Sequence, residues 1–105
     1  VELITLDEYL CKIGIHVIDF LKIDTEGHEL EVLRGAINVL KNSPGALVMF
    51  ENSDFHDVNT FFVHIHWKTF SIDDQGHVVS GKDSMAKSYN LFACGPSNPL
   101  YLDIS

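Results

Sequence analysis

The sequence predicts an α/β fold, because two continuous apolar runs flank a segment with helical periodicity. Residues 17–23 (VIDFLKI) and 46–51 (ALVMFE) are rich in β-branched and aromatic residues, as expected of strands buried on both faces. Between these runs, apolar residues recur at the three- and four-residue spacing of a helix. Strand, helix and strand with short connections form a βαβ unit, for which we expect a parallel strand pair and a right-handed crossover.

Length and charge bound the class of protein. With 105 residues the chain forms at most one domain, and 46% apolar against 21% charged residues indicates a globular protein. A net charge of -8 argues against nucleic acid and anionic membrane as partners, since phosphate binding requires clustered lysines and arginines. No apolar run reaches the roughly 18 residues that a membrane span requires.

The cysteines and the first residues bear on the cellular setting. Cys11 and Cys94 form no spacing motif, so we expect a reduced, cytoplasmic pair, with a single disulfide as the open alternative. The chain opens VELITLDEYL, without a Met start or a signal-peptide pattern. This opening favours an origin inside a longer protein.

Helices are predicted on either side of the first strand. Thr5 and Glu8 have the spacing of a capping box, which predicts a helix from Leu6 to Lys12 that ends near Gly14. A second helix is predicted over 28–41, with acidic residues in its first turn and basic residues later, as the helix dipole favours. Its apolar face comprises Leu30, Leu33, Ile37 and Leu40, and Asn42-Ser43-Pro44-Gly45 ends it.

The second half of the chain has a weaker pattern. An aromatic-rich stretch predicts a helix from Val58 to Trp67, and KTFSID (68–73) predicts a strand that closes at the turn Asp74-Gln75-Gly76. Short strands are expected at 77–79 (HVV) and 88–94 (SYNLFAC), and the polar residues 80–88 are expected to form a loop. Two main strands, 68–73 and 88–94, thus follow the βαβ unit, and the short segment 77–79 lies between them in the chain.

Charged side chains follow both strands of the βαβ unit. Asp24 stands where the first strand ends, and Glu51 and Asn52 stand where the second ends. Because ligands bind outside the carboxyl ends of parallel strands, these groups should converge on one rim. Lys22 shares a face with Asp24 by two-residue alternation and is expected to reach Asp24 or Glu51. Such a set could orient a hydroxyl substrate, act as a general base, or ligate a divalent ion through Asp24, Glu51 and Asn52.

Structural roles explain several of the same residues equally well. A lysine–carboxylate pair at a strand end can be a purely structural ion pair, and Gly27 can serve only to let the backbone turn. Glu26 and Glu29 can be first-turn helix charges. His64 and His66, with His56 nearby, have an H-x-H spacing, but on a helix the two rings of such a pair point apart, which favours a structural or surface role over metal ligation.

The stretch from Thr5 to Asn52 resembles the signature segment of the FkbM family of methyltransferases. It combines TLDEYL, a short spacer, IDFLKIDTEGHELEVLRGA and VMFEN, and it covers nearly half of the chain. KIDxEGxE followed by LxGA is far more restrictive than a lone glycine motif. The motif positions in this sequence are Lys22, Asp24, Glu26, Gly27 and Glu29, with Asp7 in the TLD element and Glu51 at the end of the next strand.

The resemblance implies an S-adenosylmethionine-dependent O-methyltransferase with a Rossmann-like sheet, acting on a hydroxyl of a sugar or small metabolite. The strands at 17–23 and 46–51 would be the fourth and fifth of the family's sheet, and those at 68–73 and 88–94 the sixth and seventh, the last antiparallel. The implied assignments are catalytic for Asp24, Lys22 and Glu51, cofactor-binding for Asp24, Glu26 and Gly27, and substrate-binding for Glu29 and Asn52. A divalent ion is the less favoured variant.

The sequence departs from the family at the cofactor side. Its seven glycines form no G-x-G-x-x-G cluster, and no counterpart of the first strands and their acidic residue is found. We therefore expect a single partial domain over 1–105, the carboxyl half of a methyltransferase. The strand at 17–23 would then present an exposed apolar edge, which predicts a homo-oligomer. The alternative is a non-catalytic remnant or oligomerisation module that keeps half of the fold.

Overall fold

A computed structural model describes residues 4–52, 55–81 and 88–104. In chain order its elements are α1 (Leu6–Lys12), β1 (Phe20–Ile23), α2 (Glu29–Arg34), α3 (Ile37–Lys41), β2 (Leu47–Glu51), α4 (Phe55–His64), β3 (Lys68–Ile72), β4 (Val78–Val79), β5 (Asn90–Cys94) and a terminal 3-10 helix, η1 (Pro99–Asp103).

The strands form one five-stranded sheet in the order β1-β2-β5-β3-β4. β1 and β2 are parallel, whereas β5 is antiparallel to both of its neighbours, β2 and β3. β3 therefore runs in the same direction as β1 and β2, and β5 is inserted between them in the opposite sense. The predicted α/β class is confirmed, with its βαβ unit and its antiparallel last strand, and the sheet is compatible with part of a Rossmann-like methyltransferase sheet.

The core lies between one face of the sheet and the four α-helices. Val48 and Phe50 of β2 and Leu91 of β5 are fully buried against side chains of the helices, including Phe62 of α4. The rings of Phe50 and Phe62 stack with their centroids 5.7 Å apart. On the opposite face, η1 covers a smaller cluster at one end of the sheet, built on Phe70, Cys94 and Ile104.

The helix predicted over 28–41 is wrong in one respect, because it is two helices. α2 ends at Arg34 and α3 begins at Ile37, with Gly35 and Ala36 between them. The break follows from contacts with α1: the backbone N–H of Asp7 donates to the carbonyl of Gly35 at 2.8 Å. The carboxylate of Asp7 in turn accepts hydrogen bonds from the backbone N–H groups of Asn38 and Val39, both at 2.9 Å.

The expectation that the first strand is buried on both faces is also wrong. β1 comprises only Phe20–Ile23 and stands at the edge of the sheet, so Ile23 is 2% exposed whereas Phe20 is 52% exposed. Val17, predicted as part of the strand, lies outside it and is 60% exposed. The apolar edge itself is present as predicted.

The remaining boundaries differ by a few residues. α1 begins and ends as predicted, with the Thr5 hydroxyl accepting from the backbone N–H of Glu8. α4 runs Phe55–His64 rather than 58–67, because His66 adopts a left-handed conformation (φ 66°) that ends the helix. Most of the predicted loop over 80–88 lies outside the described residues. η1 was not predicted.

The cysteines and the helices bear on two further expectations. Cys11 is exposed and Cys94 buried, and both are free thiols, so the disulfide alternative is not realised. Within the described ranges, no helix is long and apolar enough to cross a membrane.

Asp7 should contribute to stability because its carboxylate caps α3 from another helix. We expect Asp7→Ala to lower the free energy of unfolding by about 0.5–2 kcal/mol, the range for losing a helix-capping side chain. Chemical denaturation followed by circular dichroism measures this change. Asp19→Ala, at an exposed acidic residue before β1, is the control and should change stability much less. Equal losses in both variants would contradict the capping role.

Candidate functional site

Parallel pairing of β1 and β2 brings two acidic side chains to one rim of the sheet. The register pairs Ile23 with Phe50. Asp24 directly follows Ile23, and Glu51 directly follows Phe50. A hydrogen bond joins the side chains of Asp24 and Glu51. The two strand ends that the sequence marked as charged therefore do meet.

Contact with Asp24 affects the protonation of Glu51. Their mutual hydrogen bond is the largest influence on Glu51, and it raises the pKa of Glu51 above the ordinary value of 4.5. Partial burial and the negative charges of Asp24 and Glu29 raise that pKa further, while a hydrogen bond from Tyr89 acts in the opposite direction. A carboxyl group whose pKa is raised keeps its proton to a higher pH and can donate it during a reaction, as general acid–base catalysis requires.

Tyr89 completes the rim and was missed in the sequence. Its side chain is 71% exposed, and it hydrogen-bonds to Glu51. This bond, together with the charges of Glu51, Asp24 and Glu26, raises the pKa of Tyr89. No motif surrounds Tyr89. The available signal was topological, because an antiparallel β5 beside β2 must begin where β2 ends, and Glu51 indeed pairs with Asn90.

Asn52 holds the backbone that carries Tyr89. Its own N–H donates to the carbonyl of Tyr89 at 2.8 Å, and its side-chain nitrogen donates to the carbonyl of Ser88 at 2.9 Å. These contacts place Asn52 beside the rim, and they bind it to the start of β5. Its predicted contact with substrate stays a prediction.

Glu29 fixes the loop from Asp24 to His28 through hydrogen bonds. Glu26 (φ 51°) and Gly27 (φ 103°) adopt consecutive left-handed conformations, and Glu26 is one of the few residues with a side chain to do so. Glu29 is 1% exposed, and one of its carboxylate oxygens accepts from the hydroxyl of Thr25 at 2.6 Å and from the N–H of Gly27 at 3.1 Å. Glu29 thus fixes the turn that places Glu26 on the rim, and its predicted contact with substrate stays a prediction.

Lys22 lies on the sheet face that points away from α1–α4. It pairs in register with Met49 and is exposed. Within the described ranges, no ion pair of 4.0 Å or less joins Lys22 to Asp24 or Glu51. The buried ion pair considered from the sequence is therefore not formed, because an edge strand leaves both Lys22 and Asp24 open to solvent.

In the described part of the chain, neither of the candidate metal sites has a complete set of ligands. There, no group of three His, Cys, Asp or Glu side chains is placed to hold an ion. His64 ends α4, whereas His66 follows it in a left-handed conformation. The carboxylates of Asp24 and Glu51 bond to each other, and the amide nitrogen of Asn52 bonds to Ser88.

The carboxyl pair should make the stability of the protein depend on pH. Because the folded state raises the pKa of Glu51, the contribution of Glu51 to stability is fully present below 4.5 and is lost as the pH rises through the raised pKa. Asp24→Asn removes the neighbouring charge, so its melting temperature should exceed that of the wild type at about pH 8, and this difference should shrink at about pH 4. Differential scanning calorimetry across this range measures the effect.

Asp19→Asn is the matched control, since it removes the same charge at an exposed position away from the rim. It should shift the melting temperature less and without the same pH dependence. A gain in melting temperature from Asp24→Asn that is independent of pH would contradict the proposed effect of Asp24 on the protonation of Glu51.

Comparison with known proteins identifies the family. The family model described as the methyltransferase FkbM domain matches residues 1–79, which include α1, the βαβ unit, α4 and the rim residues Asp24 and Glu51. Searches of curated proteins and of solved structures gave no match. The match covers well over half of the chain, and the chain therefore belongs to the FkbM methyltransferase domain family.

Proposed function

We propose that this chain is the acceptor side of an S-adenosylmethionine-dependent O-methyltransferase that acts on a hydroxyl of a sugar or small metabolite. The observation that carries the proposal is the hydrogen-bonded pair Asp24–Glu51 at the carboxyl ends of adjacent parallel strands. Open α/β sheets bind their ligands at such strand ends. Membership of the family supports methyl transfer, and the pair offers a proton acceptor for a hydroxyl.

The rim residues have different proposed roles in the reaction. A hydroxyl becomes a better nucleophile as its proton leaves, so a base within hydrogen-bond reach lowers the barrier. Asp24 is the proposed base, and Glu51, which hydrogen-bonds to it, is proposed to hold the Asp24 side chain in place. Lys22 lies on the same sheet face and is proposed to add a positive charge near the acceptor. Methyl transfer is an in-line displacement, so positioning the acceptor oxygen is the other requirement.

The loop supports positioning of the acceptor. The hydrogen bonds of Glu29 fix the turn at Gly27, and those of Asn52 fix the backbone at Tyr89. On this proposal Glu29 and Asn52 serve the substrate by holding these two segments. A site held by hydrogen bonds from neighbouring elements keeps its geometry better than one on a free loop.

The rim fits one end of the cofactor. S-adenosylmethionine supplies an electrophilic methyl group when bound, and its methionine end is cationic. Asp24 and Glu26 offer carboxylates to that end, and the turn at Gly27 is open, since a Cβ built there meets no atom within 4 Å. For the adenosine end the sequence offers no G-x-G-x-x-G loop, so the proposal includes cofactor-binding strands outside residues 1–105.

A second candidate function is an assembly module without catalysis. The observation that favours it is the free edge of β1, where Phe20 is 52% exposed, together with the segment just before β1, where Val17 and Ile15 are 60% and 42% exposed. An edge strand with exposed apolar residues is a template for pairing with another chain. Both candidate functions require this edge to be covered. In the methyltransferase, further strands of the same domain or a second copy of the chain would cover it, and in the assembly module another chain would do so.

The proposed base is tested by substitution in the natural full-length polypeptide. Asp24→Asn should lower the rate of methyl transfer by about 10²-fold or more, the usual contribution of a positioned general base. Mass spectrometry of methylated hydroxyl acceptors measures the rate. Asp19→Asn should keep the wild-type rate. Unchanged transfer in Asp24→Asn would sink the assignment, and a loss of activity after treatment with a chelator would replace the base by a divalent ion.

The free edge predicts self-association of the 105-residue chain. We expect a homodimer or larger assembly by light scattering, and we expect Phe20→Lys to shift it towards the monomer, because a lysine on an edge strand disfavours pairing. Val63→Lys is the control: Val63 is 60% exposed but lies on α4. A monomeric wild type, or equal effects of the two lysines, would count against assembly through β1.

A further inference from the structure

An open cavity of about 620 Å³ lies beside the rim, on the sheet face opposite α1–α4. It is bounded by the end of β3, the turn after it and the start of β5, and its lining includes Ile72, Asp73, Asp74, Ser88, Tyr89 and Phe92. Its volume is that of a small-molecule site, for which roughly 300–1,000 Å³ is usual. Tyr89 lines the cavity and also hydrogen-bonds to Glu51, so this residue connects the cavity to the carboxyl pair.

The floor of the cavity includes the apolar ring of Phe92, which packs against its cross-strand neighbour Phe70. Phe92 stacks on Phe70 with ring centroids 5.4 Å apart and planes at 17°. Ile72 beside it is 47% exposed, and Tyr89 is 71% exposed. A tyrosine offers an apolar ring and a polar hydroxyl together. This combination suits a ring-shaped ligand that has apolar C–H faces and hydroxyl groups at its edge.

Among the residues that the structure describes, the polar groups lining the cavity are acidic or neutral. The carboxylate of Asp73 accepts hydrogen bonds from the N–H groups of Gln75 and His77 at 2.9 and 2.8 Å, which lower the pKa of Asp73 and keep it ionised. His77 also lies 3.4 Å from Asp73 and partly balances its charge when protonated. Asp74 next to it is exposed. Lys22, a cation on the same sheet face, is on β1 and is separated from β5 by β2.

We propose that this cavity is the acceptor subsite. It binds a neutral or amine-bearing polyhydroxylated ring such as a sugar, and it excludes rings that carry a phosphate or a carboxylate group. Hydroxyl and ammonium groups can donate to its carboxylates, whereas an anionic ligand is repelled by Asp73, Asp74 and the rim pair. Specificity then rests partly on repulsion of the wrong ligand. The inference rests on the proposed function and deepens it, because it assigns the substrate class to the same rim.

Direct binding tests the subsite without any methyl transfer. The 105-residue chain is titrated with methyl glucoside, glucosamine, glucose 6-phosphate and glucuronate at low salt, and backbone amide signals are followed by NMR. We expect the first two sugars to shift the signals of Tyr89, Asn90 and Phe92, and the two anionic sugars to bind at least about fivefold more weakly.

Two pairs of variants locate the interactions. Tyr89→Ala should weaken binding of methyl glucoside by about threefold to tenfold, whereas Tyr9→Ala, at a tyrosine of α1 that is 49% exposed, should leave it unchanged. Asp74→Asn should reduce the difference in affinity between methyl glucoside and glucose 6-phosphate. Asp103→Asn, at an exposed acidic residue of η1, should leave this difference in affinity unchanged.

Three results would overturn the subsite: equal or tighter binding of the anionic sugars, shifts confined to residues away from the cavity, or no shift with any of the four sugars. The two proposals fail separately. A sugar that binds at Tyr89 but is never methylated leaves the subsite standing and counts against the proposed function. A sugar that the full-length polypeptide methylates without shifting these signals overturns only the subsite.

Discussion

The parallel pairing of β1 with β2 is the constraint on which the candidate site depends. It sets Ile23 level with Phe50, so the residues that follow them, Asp24 and Glu51, reach the same rim, where their side chains hydrogen-bond to each other. Shifting the register by one residue would turn every side chain of β1 to the other face and separate the two carboxyl groups. The same pairing leaves β1 as the edge of the sheet, which keeps the rim open to solvent and ligands.

The family signature carries two separate physical tasks. One part joins α1 to the segment between α2 and α3: Asp7 binds Gly35 and caps α3, and a Cβ on Gly35 would approach the Cβ of Thr5 to 3.1 Å. That distance explains why a glycine follows the helix in this motif. The other part, from Asp24 to Glu29, forms the rim and its supporting turn. The buried Glu29 belongs to this second part, and its hydrogen bonds hold the left-handed backbone at Gly27.

The two faces of the sheet have different tasks. One face packs against α1–α4 and contains the buried core around Phe50 and Phe62. The opposite face is covered only in part, by η1 at one end, and the acidic cavity opens on it beside Tyr89. Because β5 is antiparallel to β2, its first residues lie against the carboxyl end of β2, which is how Tyr89 reaches Glu51. The buried core and the proposed acceptor subsite thus lie on opposite sides of the same strands.

The sequence by itself determined the α/β class, α1 from Leu6 to Lys12 and the carboxylates at the strand ends, because these depend on local periodicity, on capping and on the residues that follow each apolar run. The antiparallel direction of the last strand was implied by the family resemblance and not by a local pattern. Only the tertiary structure decided three other matters. It split the helix over 28–41, since Asp7 and Gly35 bind each other across elements. It exposed β1, since burial of a strand depends on what stands beside it. It brought Tyr89 to Glu51, since contacts between residues far apart in the chain follow from strand order, which the pattern around either residue does not contain.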